Sequence, residues 1–305
     1  MKAERKMERK IVFTLSCGKK LNEKEFCSYF ERKILRTIRK FGLIRKGDKI
    51  AVACSGGKDS ITALYILKNF CSQRRQQLEA IAIDEGIKGY RDRLIKNLKE
   101  FCSREKIKLR VFSFKREFGF TLNGMLEKIK AIGLSNCYVC SILKRWLLNR
   151  KARQSGFNIV ATGHCLDDEA ETILLNQFKG NPDLLAKLGP LTGISKVKGF
   201  VQRIKPLYLC SENEIVLYAK IKKLPISLGV CPRRGKTFRV EIRNILAKME
   251  KKHREIKNAI VNSFLQILPL LKKRHAAFEL KTCKLCHEPS SQELCKRCQI
   301  LKQLR

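Results

Sequence analysis

Short aliphatic runs alternate along this chain with longer segments whose apolar positions recur every three and four residues. Ile50-Ala-Val-Ala-Cys54 predicts a short buried strand, and the runs from Leu78 to Ile83, Leu109 to Phe114 and Phe157 to Thr162 predict three more. The segments from Ser60 to Asn69, Tyr90 to Cys102, Tyr138 to Gln154 and Leu166 to Phe178 carry helical spacing. Strands alternating with helices, bounded by Gly and turn residues, predict an α/β fold with a Rossmann-like parallel sheet covered on both faces. Ligands of such sheets lie at the carboxyl ends of the strands. Ser211-Glu-Asn-Glu214 is a capping-box pattern that opens a further helix to about Lys222.

The pattern divides the chain into four regions. Residues 1–29 are basic, residues 30–231 hold the strand–helix alternation, residues 232–277 read as a long basic helical extension, and residues 278–305 are rich in cysteine. No apolar run approaches the ~18 residues of a membrane span. The longest candidate, from Ala259 to Leu271, is broken by Asn262, Gln266 and Pro269.

Charge narrows the partners. The 305 residues carry 66 Lys and Arg against 28 Asp and Glu, a net charge of +38. An excess of this size gathers polyanions, nucleic acid foremost; the alternative is a lysine-rich solvated surface. Apolar residues make up 44%, too many for general disorder. Basic residues cluster at 32–49, 233–257 and 272–305. There are 14 cysteines. The charged residues 1–10 have none of the apolar core of a secretory signal. The cysteines are therefore expected in a reducing compartment, the cytoplasm, where CxxC pairs read as metal or redox sites.

Ser55-Gly56-Gly57-Lys58-Asp59-Ser60 follows the first strand directly and opens a helix. Two glycines let backbone N–H groups approach a ligand, and the helix N-terminus adds partial positive charge. Lys58 and both serines can bind phosphate oxygens, and Asp59 can cap the helix. With Ala53 and Cys54, which lead into it, this is the candidate nucleotide loop. Its Gly-to-Lys spacing is not that of the Walker loop.

SGGKDS resembles the pyrophosphate loop, or PP-loop, of the adenine-nucleotide alpha-hydrolase superfamily. The resemblance continues through Cys137-Tyr-Val-Cys140, Lys144-Arg145, Ala161-Thr-Gly-His-Cys-Leu-Asp-Asp-Glu-Ala170 and Cys231-Pro232. That ordered set is similar to the tRNA 2-thiouridine synthetases of the TtuA and TtcA type, the TtuA type above all. The resemblance implies ATP with magnesium, a tRNA substrate, a thiocarboxylated ubiquitin-like sulfur-carrier protein and a homodimer. It makes Lys144 and Asp168 catalytic candidates, the aspartate orienting substrate or magnesium. It also places adenine near Ile83 and lets Gly163 approach the nucleotide.

Cys137 and Cys140 lie one turn apart, and Cys231 follows in a Gly- and Pro-bounded loop. Three converging thiolates suit a [4Fe–4S] cluster with one open iron; a catalytic dithiol carrying a persulfide is the alternative. In the resemblance these three are cluster ligands. Cys54, Cys71 and Cys210 read instead as buried small side chains. Cys283-x2-Cys286-x8-Cys295-x2-Cys298 has the paired-knuckle spacing of structural zinc. Relatives usually carry a zinc finger at the N-terminus as well. Here Cys17 and Cys27 lack partners at finger spacing, and Asn22 and Glu25 stand where ligands would be, so no zinc site is expected there.

The expected activity is ATP-dependent tRNA uridine 2-sulfur transfer, with the T-loop uridine favoured over the wobble uridine. A non-catalytic tRNA-binding subunit and another ATP-adenylating enzyme, such as an amidotransferase or a lysidine-forming synthetase, are the rivals. Neither rival needs all three central cysteines. Arg233 and Arg234 are expected near the entering base.

Overall fold

A computed structural model of the chain describes residues 10–193, 199–227, 229–233, 235, 237–275 and 281–304. Residues 1–9, Arg234 and Lys236 of the basic loop, and the 276–280 junction lie outside them.

Two strands, β1 (Ile11–Thr14) and β2 (Lys20–Asn22), form a hairpin that leads into helix α1 (Glu23–Lys40). Asn22 and Glu25 make a reciprocal capping box there: Glu25 N–H donates to Asn22 Oδ1 and Asn22 N–H to Glu25 Oε2, both at 3.0 Å. The two positions where the family places metal ligands thus start a helix. Phe26, Phe30, Ile34 and Ile38 of α1 are buried. Burying each such side chain contributes about 1.5–3 kcal/mol, and together they hold the hairpin end to the domain.

The central sheet has the order β5 (Leu109–Ser113), β4 (Leu78–Asp84), β3 (Ile50–Ala53), β6 (Ile159–Ala161), β8 (Gln202–Ile204), β7 (Leu191–Thr192). The first five are parallel, in register Val52 with Ala80 and Ala161. The parallel sheet expected is present and carries one antiparallel edge strand, β7 beside β8. Neither β7 nor β8 is legible in the hydrophobic pattern, because two or three residues are too few to show a period. Chain order reverses between β3 and β6, so the crevice at their carboxyl ends is the topological switch point.

Helices α2 (Lys58–Gln73), α3 (Arg91–Arg104), α6 (Asn136–Gln154) and α7 (Leu166–Phe178) follow these strands, with α4 (Phe114–Phe118) and α5 (Leu126–Ala131) as short turns before α6. A five-residue helix α8 (Pro182–Ala186) precedes β7, and α9 (Glu212–Ile221) opens on the predicted box at Ser211 and Glu214.

The basic extension is two helices, α10 (Phe238–Lys252) and α11 (Ile256–Arg274), parted at His253. They share one apolar cluster with α7: Ile242, Leu246, Val261 and Phe264 meet Leu166, Ala170 and Ile173. The extension is therefore built onto the nucleotide-binding sheet's own helix layer. The last helix, α12 (Lys296–Leu304), sends Ile300 and Leu304 into the cluster beneath α6.

Candidate functional site

Three segments converge at the switch point: the loop 55–60 after β3, the turn 162–165 after β6, and the start of α6. The loop is held by its own serines. Ser60 Oγ donates to Gly57 O (3.0 Å) and accepts from Ser55 N–H (3.2 Å), and Gly57 N–H donates to Ser55 Oγ (3.3 Å). Gly56 has φ +82° and lies 2.9 Å, measured from where a Cβ would be, from the Leu94 carbonyl of α3. Only glycine fits there. The helix cap is Gly57, not Asp59, which instead pairs with Lys58 at 3.0 Å.

Lys58 also pairs with Glu212 at 2.9 Å. Burial works to lower its pKa, but Asp59 and Glu212 outweigh burial and hold the ammonium above the ordinary lysine range. Burial raises Asp59, which Lys58 offsets only in part. Asp59 Oδ1 is buried with no hydrogen-bond partner among the described residues. That free acceptor beside a phosphate loop fits a magnesium ion better than Asp168, whose oxygens are engaged by Arg239 (3.3 Å) and by Cys165 N–H (3.3 Å).

Gly163 packs closely on the loop. A Cβ there would stand 2.7 Å from Asp59 C and Ser60 N, so the turn packs against the first turn of α2. His164 Nδ1 lies 2.9 Å from Thr162 Oγ1. Desolvation among its neighbours pulls its pKa to about 4 against the pull of Asp168. Ile83 is buried, and its carbonyl accepts from Arg91 Nε at 2.9 Å. The Cys54 side chain is buried in the core as well, so only its backbone borders the loop. Cys71 and Cys210 are buried as expected.

Cys137 and Cys140 occupy the first turns of α6, whose N-cap Ser135 accepts from Tyr138 N–H. Cys231 reaches them because the segment before it runs beside the phosphate loop, where Ser227 bridges in parallel to Gly57. Cys137 Sγ lies 3.7 Å from Arg233 O, two residues beyond Cys231, while Cys140 and Cys231 pack on one apolar cluster. Burial pushes the Cys140 thiol up to about 11, with Lys144 opposing. Cys231 and Cys137 both act electrostatically on the Cys140 thiol, so the three are neighbours. This fits a four-iron cluster, whose ligand sulfurs sit on different irons.

Lys144, one turn beyond Cys140, is bonded to Glu85. Glu85 is 4% exposed and also pairs with Arg91 at 2.9 Å. Burial raises its pKa, but Lys144 and Arg91 outweigh burial and leave it lowered. Arg91 in turn donates to the Ser55 carbonyl. A chain of contacts thus runs from the nucleotide loop through Arg91 and Glu85 to Lys144 and the cysteines. Sequence reasoning missed Glu85 and Arg91, although Glu85 directly follows a strand's carboxyl end. It also missed Arg239 and Arg243, which clamp Glu171 (2.9 and 3.1 Å) and tie the extension to α7 beside Asp168.

The Sγ atoms of Cys283, Cys286, Cys295 and Cys298 all lie within 4.8 Å of one another. Four Zn–S bonds of 2.3 Å span a tetrahedron with edges of ~3.8 Å, so the donor set fits a zinc ion. Backbone N–H groups, Cys295's first, outweigh burial and lower Cys283 to about 6, toward the thiolate a metal needs.

Residues 27–250 match the model of the PP-loop domain family. The chain belongs to that family. Within it the chain groups with tRNA 2-thiolation proteins. It is 33% identical to the tRNA-5-methyluridine(54) 2-sulfurtransferase of Pyrococcus horikoshii, over 92% of this chain and 87% of that one. It is 34% identical to the cytoplasmic tRNA 2-thiolation protein 1 of Drosophila melanogaster, over 94% and 83%. Among solved structures, the U34-tRNA thiolase NcsA from Methanococcus maripaludis, with its [4Fe-4S] cluster, superposes with a TM-score of 0.83. The two share 30% identity over 96% of this chain and 93% of that one. No helix of the described residues is long and apolar enough to cross a membrane.

Proposed function

We propose that this PP-loop protein is an ATP-dependent tRNA uridine 2-sulfurtransferase. The observation that carries the reading is the meeting of three thiols, Cys137, Cys140 and Cys231, with a phosphate loop through Lys144, Glu85 and Arg91. An amidotransferase or lysidine-forming enzyme has use for the loop but not for the thiols, and a non-catalytic subunit has use for neither.

In this reading the loop N–H groups, Lys58 and the start of α2 hold the triphosphate of ATP. Asp59 takes the magnesium ion. The uridine O2 attacks the α-phosphorus, forming an O–P bond as pyrophosphate leaves. Sulfur then adds to C2 and AMP departs with the former O2. Lys144 sits where negative charge builds on the base and phosphate, and Glu85 fixes its ammonium there. Asp168, locked by Arg239 and the Cys165 amide, orients the substrate.

Cys137, Cys140 and Cys231 would hold the [4Fe–4S] cluster, which when bound supplies an open iron able to carry sulfur. A thiocarboxylated ubiquitin-like protein is the donor this reading takes, and a homodimer its assembly. Zinc is assigned to Cys283, Cys286, Cys295 and Cys298 as a structural ion.

The four-region division stands in this reading as loop and cysteines in 30–231 and phosphate contacts from the basic segments. Leu166-Asp-Asp-Glu-Ala170 and the Pyrococcus relative support the T-loop uridine as target. The NcsA structure supports the wobble uridine as the second reading. Pyrophosphate release that needs both ATP and tRNA tests the activity, and mass mapping of 2-thiouridine in the product tRNA separates the two targets. Release without tRNA, or none, overturns the proposal.

A further inference from the structure

Between α6 and the terminal cysteine module runs a groove lined by Arg145, Trp146, Phe200, Arg203, Lys296 and Arg297. Four of these six are cationic. The groove's carboxylate, Glu288, is engaged on both oxygens by Arg153. Among the described residues none of the four cations has a carboxylate partner. Arg203 donates to the Arg145 carbonyl at 3.1 Å, Lys296 to Gln299 at 3.0 Å, and Arg297 to Cys298 Sγ at 3.3 Å.

Two N–H donors in the groove, Trp146 Nε1 and Arg297 Nε, are buried without an acceptor among the described residues. The Arg297 guanidinium lies 4.3 Å from the Trp146 ring centroid, and Arg150 lies 5.0 Å from it. Burial, reinforced by neighbouring Arg145, lowers Arg203 to about 10. Arg145 is lowered by burial and then by Arg239, which pairs with Asp168. Lys296 and Arg297 of the cysteine module thus line one groove with Arg145 and Arg203.

We propose that this groove binds the sugar–phosphate backbone of the RNA substrate between the cysteine module and α6, where Arg145 directly follows Lys144. Phosphate oxygens supply the anionic partner that Arg145, Arg203 and Lys296 lack among the described residues, and guanidiniums match phosphate bidentately. Phe200, 46% exposed beside the cations, gives a splayed base a stacking face. An acidic peptide would use the charges but has no need of that ring. The inference rests on the tRNA reading above.

The test measures binding of an unmodified tRNA transcript to the full chain by fluorescence anisotropy, from low to moderate salt. Arg145→Gln and Arg203→Gln are each expected to weaken binding about tenfold and to lower the log–log salt slope by about one, the signature of a lost phosphate contact. Phe200→Ala is expected to weaken binding with the slope unchanged. Trp146 is the single tryptophan, so tRNA and not ATP should quench its emission. Unchanged zinc content and ATP affinity show that the variants are folded. Wild-type affinity and slope in an Arg145→Gln, Arg203→Gln double variant overturn the groove. So does loss of poly-glutamate binding alone, which would make the groove an acidic-peptide site. A wild-type protein that binds no tRNA refutes the function reading instead.

Discussion

Gly163→Ala adds one methyl group at the seam between the β6 turn and the nucleotide loop. Its Cβ would stand 2.7 Å from Asp59 C and Ser60 N and 2.9 Å from Asp59 O. These are backbone atoms in the first turn of α2, so no rotamer change relieves the contact. Reaching ordinary contact at 3.4 Å requires a shift of about 0.7 Å. Overpacking of this kind costs about 1–3 kcal/mol. The turn that must yield carries the N–H groups offered to phosphate, so the cost falls on ATP binding. That predicts a loss of ATP affinity of roughly 5- to 150-fold. Isothermal titration calorimetry measures the affinity, and a thermal melt measures what remains as destabilisation. Full ATP affinity together with an unchanged melting temperature would refute the assigned packing role.

Glu85→Gln leaves Arg91 and Lys144 without their shared carboxylate; losing one partner of a buried pair costs about 3–5 kcal/mol, so the melting temperature should fall and pyrophosphate release should slow. Because the Glu85 pKa is lowered on folding from 4.5, its contribution is complete above that value and is lost as pH falls through the folded pKa. The wild-type melting temperature should therefore drop more steeply below about pH 4.5 than that of Glu85→Gln. Chelation of the terminal metal, or Cys286→Ala, should release one zinc per chain and shift the emission of Trp146, which packs against that cysteine cluster. Arg239→Gln should lower turnover more than ATP affinity, because it frees Asp168 and leaves the loop intact; equal losses in both would contradict that assignment.

The sequence pattern shows the fold where elements are long and periodic. α7 begins and ends where its apolar spacing does, and the box at Ser211 and Glu214 starts α9 as read. The pattern is silent on β7 and β8, which borrow their pairing from β6. It is also silent on the break at His253, since both helices around it carry the same basic and apolar alternation. Of the site, the loop and the three CxxC units are local and therefore legible. Glu85, Arg91 and Arg239 are not, because their partners lie in other elements and a single buried carboxylate leaves no period in a sequence. Asp59 and Gly163 were visible as residues, but their tasks were not. One keeps a free acceptor where a cap was expected, and the other also packs on the backbone of the loop helix.

The most direct test of the central claim is mass-spectrometric measurement of 2-thiouridine in tRNA. The protein, purified without oxygen, is incubated with ATP and a thiocarboxylated carrier protein, and wild type is compared with Cys137→Ala. The account predicts 2-thiouridine that needs ATP, forms with the wild-type protein, and is absent with the variant, whose iron content also falls. Undiminished thiolation by Cys137→Ala would contradict it.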